Sequence, residues 1–255
     1  MTGSGRLAGR CAIVTGAGRN VGEGIARRLV AEGARVAVAD LDADAAARTA
    51  DALSRGLADG AAIPVTCDVA APDQVRALVD TAWRRLGHVD SLVHCVAVTD
   101  RPTTVLELSD ERWRQVLDIT LTSAFLTTKY LATRMVAEGR GGVVVHIGST
   151  SGQFARKNAL AYPTAKAGLY GLVRSLALQL GPHGIRVNTV SPNKVGSPVG
   201  TDVEPPDRAR RNLVGRACTP DDVAGAVAFL LSDEGGFITG TDLLVDGGAV
   251  IAAGD

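Results

Sequence analysis

The sequence has few aromatic residues, no excess of charge and no cysteine motif. Aromatic residues make up 4% of the 255 positions, and Lys plus Arg and Asp plus Glu both total 27. A balanced charge without a basic stripe or an acidic tail argues against a nucleic-acid partner. The four cysteines lack C-x-x-C spacing, so we expect neither a metal site nor a disulfide framework; they are Cys11, Cys67, Cys95 and Cys218.

Long apolar runs are also absent. The first ten residues, MTGSGRLAGR, contain no apolar signal core. No run approaches the ~20 apolar residues that span a bilayer. We therefore expect a soluble, cytoplasmic protein without a membrane partner, in which residues 1–6 form a flexible tail.

Short apolar runs alternate with helical patterns along the whole chain. These runs are rich in Val, Ile and Leu without strict alternation, which is typical of strands covered on both faces. Strand–helix repetition of this kind predicts an α/β fold with a parallel, doubly wound sheet, and we expect one domain over residues 1–255. The seven predicted strands are Arg10–Val14, Arg35–Asp40, Ala62–Cys67, Ser91–Val96, Gly142–Ile147, Ile185–Val190 and Asp242–Val245.

Several helix starts can be read directly. Ser109 and Thr219 are predicted N-caps, and Pro220 fits the first helical position. The segment Asn193–Arg216 is rich in Gly, Pro and charge. It is a candidate lid over the substrate, with a plain surface loop as the alternative.

A glycine-rich turn follows the first predicted strand. The residues from Thr15 to Gly24 read TGAGRNVGEG and lead into a helix. Glycines at such a turn let the backbone approach a pyrophosphate, whose charge is stabilised by the free N–H groups of the helix N-terminus. The turn alone is weak support, because any tight strand–helix connection can require glycine.

Acidic residues at the ends of the next two strands strengthen the prediction of a dinucleotide site. Asp40 can accept hydrogen bonds from the adenosine ribose hydroxyls and would repel a 2′-phosphate, which favours NAD over NADP. Arg19 favours NADP, because it can pair with that phosphate. Asp68 can bond the adenine amino group, or it is simply a turn residue before a helix.

The residues Ser149, Tyr162 and Lys166 form a candidate proton-transfer set. Positions 162 and 166 lie on the same face of a helix, so an ammonium group beside the phenol would lower the pKa of Tyr162. A nearby serine hydroxyl can bond the substrate oxygen. This set suits the interconversion of an alcohol and a carbonyl, provided that the chain also binds a hydride carrier.

With the turn, Asp40, Asp68, Ser149, Tyr162 and Lys166 in this order, the chain resembles the short-chain dehydrogenase/reductase family from Leu7 to Gly248. The resemblance also includes the segments NTVSP at 188–192, ITG at 238–240 and VDGG at 245–248. It implies a Rossmann-like domain with a seven-stranded sheet, a nicotinamide cofactor, and hydride transfer to or from a carbonyl or carbinol carbon.

The resemblance also implies roles for individual residues. Tyr162 would be the general acid/base, Lys166 would lower its pKa and bond the nicotinamide ribose, and Ser149 would orient the substrate oxygen. The backbone of Val195 and the hydroxyl of Ser197 would contact the carboxamide. The expected cofactor-binding residues are Gly16, Arg19, Asn20, Val21, Gly22, Asp40, Asp68, Val69, Cys95, Val96, Ala97, Tyr162, Lys166, Pro192, Val195 and Ser197.

Four positions depart from the family pattern. Asn20 replaces the middle glycine of the turn, and Asn193 replaces a glycine after Pro192; asparagine tolerates a left-handed backbone better than most residues. The family's N-N-A-G is here H-C-V-A at 94–97. Thr120 stands at the asparagine that continues the family's proton relay through water, and we expect its hydroxyl to bond a water there.

Three residues near the predicted site have structural alternatives. His94 and His146 lie on strands expected to be neighbours, where hydrogen-bonded core histidines are favoured over a catalytic pair. Cys95 is expected to be a packed residue rather than a nucleophile, because no base is placed to activate it.

The leading hypothesis is an NAD(H)-dependent oxidoreductase that interconverts a secondary alcohol and a ketone. One alternative is a non-redox regulator or scaffold that binds the cofactor, motivated by the H-C-V-A segment and Thr120. Another is an epimerase or dehydratase that uses NAD transiently.

The substrate and the assembly are less defined by the sequence. The substrate pocket is expected between Val96–Arg101, Thr150–Leu160 and Asn193–Arg216, where Arg156 and Lys157 either bind an acidic substrate or are simply solvated. The resemblance implies a homotetramer, or a dimer, paired through the helices at Thr122–Met135 and Ala161–Leu180. Internal packing explains the small residues of these helices equally well; they are Ser123, Ala124, Ala132, Ala165, Gly168 and Gly171.

Overall fold

The computed structural model describes residues 5–55, 60–195 and 212–254. These residues form seven strands and seven α-helices, with one helix between successive strands except for two between the fourth and the fifth. The strands β1 to β7 are Cys11–Thr15, Arg35–Asp40, Ala62–Thr66, Ser91–His94, Gly142–Ile147, Ile185–Pro192 and Asp242–Val245. The helices α1 to α7 are Asn20–Ala31, Ala43–Ser54, Pro72–Leu86, Asp110–Leu117, Ser123–Ala137, Ala161–Leu180 and Pro220–Leu231.

All seven strands form one parallel sheet in the order β3-β2-β1-β4-β5-β6-β7. The order reverses between β1 and β4, so the carboxyl ends of these two strands flank the crevice in which doubly wound sheets bind ligands. The predicted doubly wound α/β fold and its seven-stranded parallel sheet are confirmed.

Helices cover both faces of the sheet. Ala12 and Val14 of β1 point into a core with α1, α2 and α7, whereas Cys11 and Ile13 point into a second core with α3, α5 and α6. Since both faces of each central strand are buried, the strands carry apolar residues at successive positions, and this explains the continuous apolar runs in the sequence.

Strand ends differ from the predicted ones by one or two residues. The largest differences are that β4 ends at His94 rather than Val96, and that β6 continues to Pro192. The chain leaves β4 after His94 because the backbone N–H of Cys95 donates to the Thr15 hydroxyl (3.2 Å). The last residues of β6 remain in the sheet because Thr189 to Pro192 pair with β7.

The predicted helix caps are confirmed. The Ser109 hydroxyl accepts from the backbone N–H of Arg112 at the start of α4, and Thr219 forms a reciprocal capping box with Asp222 at the start of α7. Each side chain satisfies a backbone donor that has no partner within the helix.

The N-terminal segment contacts the rest of the fold from residue 6 onward, closer to the start of the chain than expected. Residues 1–4 lie outside the described part of the chain, but Arg6 pairs with Glu32 (2.8 Å) and Leu7 is buried. The predicted flexible tail therefore does not extend to residue 6. Within the described residues, no helix combines the length and the apolar character that crossing a bilayer requires.

Candidate active site

One cavity of about 710 Å³ opens along the carboxyl ends of the strands. Almost all of the site residues expected from the sequence line it; they are Gly16, Arg19, Asn20, Val21, Gly22, Asp40, Asp68, Val69, Cys95, Val96, Ala97, Ser149, Tyr162, Lys166, Pro192 and Val195. Ser197 lies outside the described residues. The sheet thus brings residues from six strand ends into a single crevice.

The glycine-rich turn has the backbone that the sequence predicts. Gly16 has φ +64, and a Cβ on Gly22 would stand 2.0 Å from the carbonyl oxygen of Gly16. Asn20 adopts a left-handed conformation, with φ 52, in place of the family's glycine. The turn therefore closes tightly, and the first turn of α1 lines the cavity with backbone N–H groups that lack acceptors within the helix.

The Asp40 carboxylate is held in place at the end of β2. It accepts hydrogen bonds from the backbone N–H groups of Gly18 (2.8 Å) and Asp42 (3.1 Å). At the end of β3, Asp68 lines the cavity while its carboxylate accepts from Ala70 N–H (2.9 Å). Asp68 is therefore a turn residue that also lines the cavity, and its bond to the adenine amino group stays a prediction.

The helix α6 carries the candidate acid/base, and Asp100 fixes its first turn. The buried Asp100 carboxylate accepts from the backbone N–H groups of Leu160 (2.6 Å), Ala161 (2.8 Å) and Tyr162 (3.1 Å). The sequence interpretation missed this residue. Asp100 is separated from Tyr162 by sixty-two positions, and no local motif indicates a cap supplied from so far away.

Lys166 and Ser149 lie beside Tyr162. The Lys166 Nζ donates to the Ile147 carbonyl (2.6 Å) and stands 5.8 Å from the centre of the Tyr162 ring. Ser149 and Tyr162 line the same cavity, and the Ser149 hydroxyl acts to lower the pKa of the Tyr162 phenol. The three predicted residues therefore share one end of the cavity.

A second tyrosine supports this arrangement and was also missed. The Tyr170 hydroxyl donates to the Ser149 carbonyl (2.8 Å) and bonds the Ser191 hydroxyl (3.2 Å). Tyr170 follows Lys166 by four positions, so the same helical spacing that links Tyr162 to Lys166 placed it on this face. The periodicity of α6 was the signal that would have found it.

The electrostatics of Tyr162 differ from the expectation. Burial raises the pKa of the Tyr162 phenol, and this outweighs the hydrogen bond from Ser149 and the positive charge of Arg156, which both lower it. Burial also lowers the pKa of Lys166 to about 8. In this structure burial therefore opposes the lowering of the Tyr162 pKa expected from Lys166, whose Nζ bonds the Ile147 carbonyl; the effect of Lys166 on the phenol stays a prediction.

The histidines that replace the family's asparagine pattern form core hydrogen bonds. His94 bonds the hydroxyls of Thr15 (3.0 Å, through Nδ1) and Ser123 (3.0 Å, through Nε2). His94 and His146 are neighbours in the sheet, with ring centroids 5.8 Å apart, and His146 Nε2 bonds Thr128 (3.1 Å). The favoured interpretation of two hydrogen-bonded core histidines is confirmed.

Two positions that depart from the family pattern have contacts that the sequence did not indicate. The buried Thr120 hydroxyl bonds both the N–H (3.2 Å) and the carbonyl (3.3 Å) of Val98 and does not line the cavity; its bond to a water stays a prediction. Lys194, with φ 50, takes the left-handed conformation expected at Asn193. Asn193 instead accepts from the Thr150 hydroxyl (3.2 Å) through its side chain.

Cys95 lines the cavity, but its thiol is not activated. Burial raises the pKa of this thiol to about 12, with the charge of Lys166 opposing the shift. A thiol with this pKa is almost entirely protonated near neutral pH and is a poor nucleophile. This agrees with the expectation that Cys95 is a packed residue.

Comparison with known proteins gives matches over nearly the whole chain. A family model described as enoyl-(acyl carrier protein) reductase matches residues 16–250. The chain is 39% identical over 254 residues to a (-)-isopiperitenol/(-)-carveol dehydrogenase, mitochondrial, of Mentha piperita, covering 95% of this chain and 94% of that protein. It is 37% identical over 247 residues to a cis-4-hydroxycyclohexanecarboxylate dehydrogenase of Sinomonas cyclohexanicum, covering 95% and 97%.

A solved structure shows the same architecture. It is a 7 alpha-hydroxysteroid dehydrogenase complexed with NADH and 7-oxo glycochenodeoxycholic acid, with a TM-score of 0.87 and 32% sequence identity. The similarity covers 95% of each chain. The two relatives and the protein of this solved structure are all named as dehydrogenases.

Proposed function

The chain belongs to the short-chain dehydrogenase/reductase family and is an oxidoreductase of alcohols and ketones; from this premise we propose that it uses NAD(H) to interconvert a secondary alcohol and a ketone, with Tyr162 as the general acid/base. The observation that carries the proposal is the placement of Tyr162, Lys166 and Ser149 in one cavity with the glycine-rich turn and Asp40.

The cavity fits a nicotinamide dinucleotide. The close approach of Gly22 to Gly16 leaves no room for a side chain at position 22, so the backbone can approach a pyrophosphate there. Asp40 and Asp68 would hold the adenosine end, and Lys166 would hold the nicotinamide ribose. When bound, the nicotinamide supplies or accepts the hydride.

The proton moves through the chain's own residues. In reduction, the Tyr162 hydroxyl gives its proton to the substrate oxygen as negative charge develops there; in oxidation, the phenolate takes that proton back. Ser149 lines the cavity with Tyr162 and would donate a hydrogen bond to the same substrate oxygen. Burial raises the pKa of the Tyr162 phenol.

The preference for NAD over NADP follows from Asp40. Its carboxylate lines the cavity and is held by two backbone N–H groups, so it is not free to turn away from a ribose. A fixed negative charge here would repel a 2′-phosphate and accept hydrogen bonds from ribose hydroxyls.

We extend the proposal to the lid and to the assembly. Asn193, Lys194 and Val195 line the cavity, which supports a lid beginning there, although residues 196–211 lie outside the described part of the chain. The homotetramer, or dimer, is carried over from the family alone. In the structure Ser123, Ala124, Ala132 and Ala165 are buried within the protomer, so they give no separate support for it.

Replacement of Tyr162 by Phe tests the function. We expect Tyr162→Phe to lower kcat for ketone reduction by roughly 10²- to 10⁴-fold, the usual contribution of general acid catalysis, while the Kd for NADH changes little. The matched control is Tyr130→Phe, because Tyr130 lies on α5 and does not line the cavity.

Retained turnover in Tyr162→Phe would exclude the proposed acid/base role. Tight NADH binding without turnover of any ketone or alcohol in the wild-type protein would instead favour the non-redox regulator. Product formation without net change in NADH would favour the epimerase or dehydratase.

A further inference from the structure

The charged side chains that line the cavity differ between its two sides. The lining carboxylates are Asp40, the last residue of β2, and Asp68, which follows β3; the cation Arg19, after β1, lines the same side. Among the described residues, the charged lining side chains that follow β4, β5 and β6 are all cations, namely Arg101, Arg156, Lys166 and Lys194. The charged groups that line the cavity on the side of Tyr162 are therefore cations, although the Asp100 carboxylate lies behind this wall at the Tyr162 backbone N–H.

Arg156 is the cation in this group with an unmet bonding requirement. It lies in the loop between β5 and α6, is half-buried and lines the cavity. Its Nε is fully buried and has no hydrogen-bond partner among the described residues. A buried guanidinium N–H without an acceptor costs free energy, so its place in a wall of the cavity indicates that an acceptor is supplied by a ligand.

Two other partly buried arginines of the same chain donate to backbone carbonyls. Arg35 donates to the carbonyls of Gly60, Leu86 and Arg85, with distances of 3.2, 2.8 and 3.1 Å. Arg186 likewise donates to the carbonyls of Ile238 (3.1 Å) and Leu230 (2.8 Å). Arg134 also has a buried Nε without a partner in the described part of the chain, but its terminal nitrogens pair with Glu138 (2.8 Å) and Asp80 (4.0 Å), and it does not line the cavity. Of these arginines, Arg156 is the one whose unpartnered Nε belongs to a residue of the cavity wall.

Arg156 is also close enough to the reacting group to affect it. Burial is the larger influence on Tyr162 and raises the pKa of the phenol, but the charge of Arg156 acts in the opposite direction. A guanidinium that reaches Tyr162 electrostatically and lines the same cavity can contact a substrate whose carbonyl is bonded to that phenol.

We propose that Arg156 binds a carboxylate of the substrate, an inference that rests on the proposed function. The physiological substrate is then a small hydroxy acid or oxo acid with an apolar body. A planar guanidinium matches a carboxylate with two parallel N–H donors. The apolar body is recognised by Val96, Ala97, Val98, Ile119 and Ala159, which also line the cavity. The substrate is small because one cavity of about 710 Å³ holds both it and the cofactor.

Paired substrates that differ only in charge test this inference. The probes are 3-oxocyclohexanecarboxylate and 4-oxocyclohexanecarboxylate, each compared with its carboxamide, with NADH and NADPH both supplied. We expect kcat/KM of the wild-type protein to favour the acid over the amide by roughly 10- to 100-fold, the factor given by a charge-assisted hydrogen bond. Arg156→Gln should remove this preference, and Arg156→Lys should restore part of it.

Lys157→Gln is the matched control, because Lys157 is the adjacent cation, is exposed and does not line the cavity. We expect it to keep the preference for the acid. Arg101→Gln tests the other arginine of the cavity wall. Loss of the preference in Arg101→Gln but not in Arg156→Gln would overturn the assignment to Arg156.

The remaining outcomes separate this inference from the proposed function. Equal turnover of acid and amide by the wild-type protein overturns the inference and leaves the oxidoreductase standing. Equal losses for acid and amide in Arg156→Gln, with a shifted pH profile, overturn it in favour of a role of Arg156 on Tyr162 alone. If no ketone is turned over, the proposed function fails; calorimetry with cyclohexanecarboxylate and the NADH complex of wild type and Arg156→Gln then decides whether Arg156 binds a carboxylate.

Discussion

The carboxylate of Asp100 accepts a hydrogen bond from the backbone N–H of Tyr162, at 3.1 Å. Two further bonds, from Leu160 and Ala161, complete a cap on the helix that carries the acid/base. The negative charge also lies at the positive end of the α6 dipole, where it is stabilising. Asp100 is therefore a positioning residue, which fixes where the phenol stands without itself reaching the substrate.

Removal of this cap should reduce catalysis more than cofactor binding. In Asp100→Ala the three N–H groups lose their acceptor, so we expect a lower melting temperature and a kcat reduced by roughly 10-fold or more, since small displacements of reacting groups are costly. The Kd for NADH should stay unchanged. Kinetics and calorimetry with Asp100→Asn, which keeps one acceptor oxygen, should show an intermediate kcat.

Ser109→Ala is the control for this experiment, because Ser109 caps α4 rather than α6. It should lower stability by about 1 kcal/mol and leave kcat unchanged. The positioning role is refuted if Asp100→Ala loses stability to the same extent as Ser109→Ala while its kcat stays at the wild-type value.

Asp40 should determine the choice between NAD and NADP. Asp40→Asn keeps an oxygen that can accept from Gly18 but removes the charge that would repel a 2′-phosphate, so we expect the ratio of kcat/KM for NADPH over NADH to rise by about 10-fold or more. Asp42→Asn is the charge-matched control, because Asp42 caps α2 and does not line the cavity. An unchanged ratio in Asp40→Asn would show that the specificity lies elsewhere.

His94 should be important for stability. His94→Leu leaves the buried hydroxyls of Thr15 and Ser123 without this partner, and we expect it to lower the free energy of unfolding by about 2–4 kcal/mol. Urea unfolding measures this loss. His183→Leu, at an exposed position, should change stability by less than ~0.5 kcal/mol; a comparably small loss in His94→Leu would contradict the core role.

The two core histidines should make stability depend on pH between neutral and mildly acid conditions. Burial and the charge of Lys166 lower the pKa of His146 to about 3, and burial, His146 and Lys166 lower the pKa of His94. Below the unfolded pKa of about 6.5 the unfolded chain binds protons that the folded chain does not, so stability is full above that pH and decreases as the pH falls.

A variant that lacks one of these histidines should lose less stability per pH unit as the pH falls. Each histidine contributes up to about 1.4 kcal/mol per pH unit to the decrease, so His146→Gln should flatten the decrease between pH 6 and pH 5 by up to this amount. Urea unfolding at several pH values measures the slope. Identical slopes for His146→Gln and the wild-type protein would show that His146 is protonated in the folded state.

Local patterns in the sequence were sufficient for the order of the elements and for much of the site. Runs such as Gly142–Ile147 are apolar at successive positions because both faces of the strand are buried, and this is visible without coordinates. The spacing of Tyr162 and Lys166 predicted a shared helical face because the period of a helix is local. The glycine-rich turn and the N-caps at Ser109 and Thr219 are likewise encoded within a few residues.

The tertiary structure alone decided the relationships between distant segments. Asp100 reaches the start of α6 only because the segment after β4 passes above it, and Thr120 bonds Val98 across 22 positions. The pKa of Tyr162 depends on how deeply the whole fold buries the phenol, an influence that the spacing of one neighbouring lysine does not show. Hydrogen bonds and burial of this kind arise from the packing of chain segments that the sequence leaves far apart.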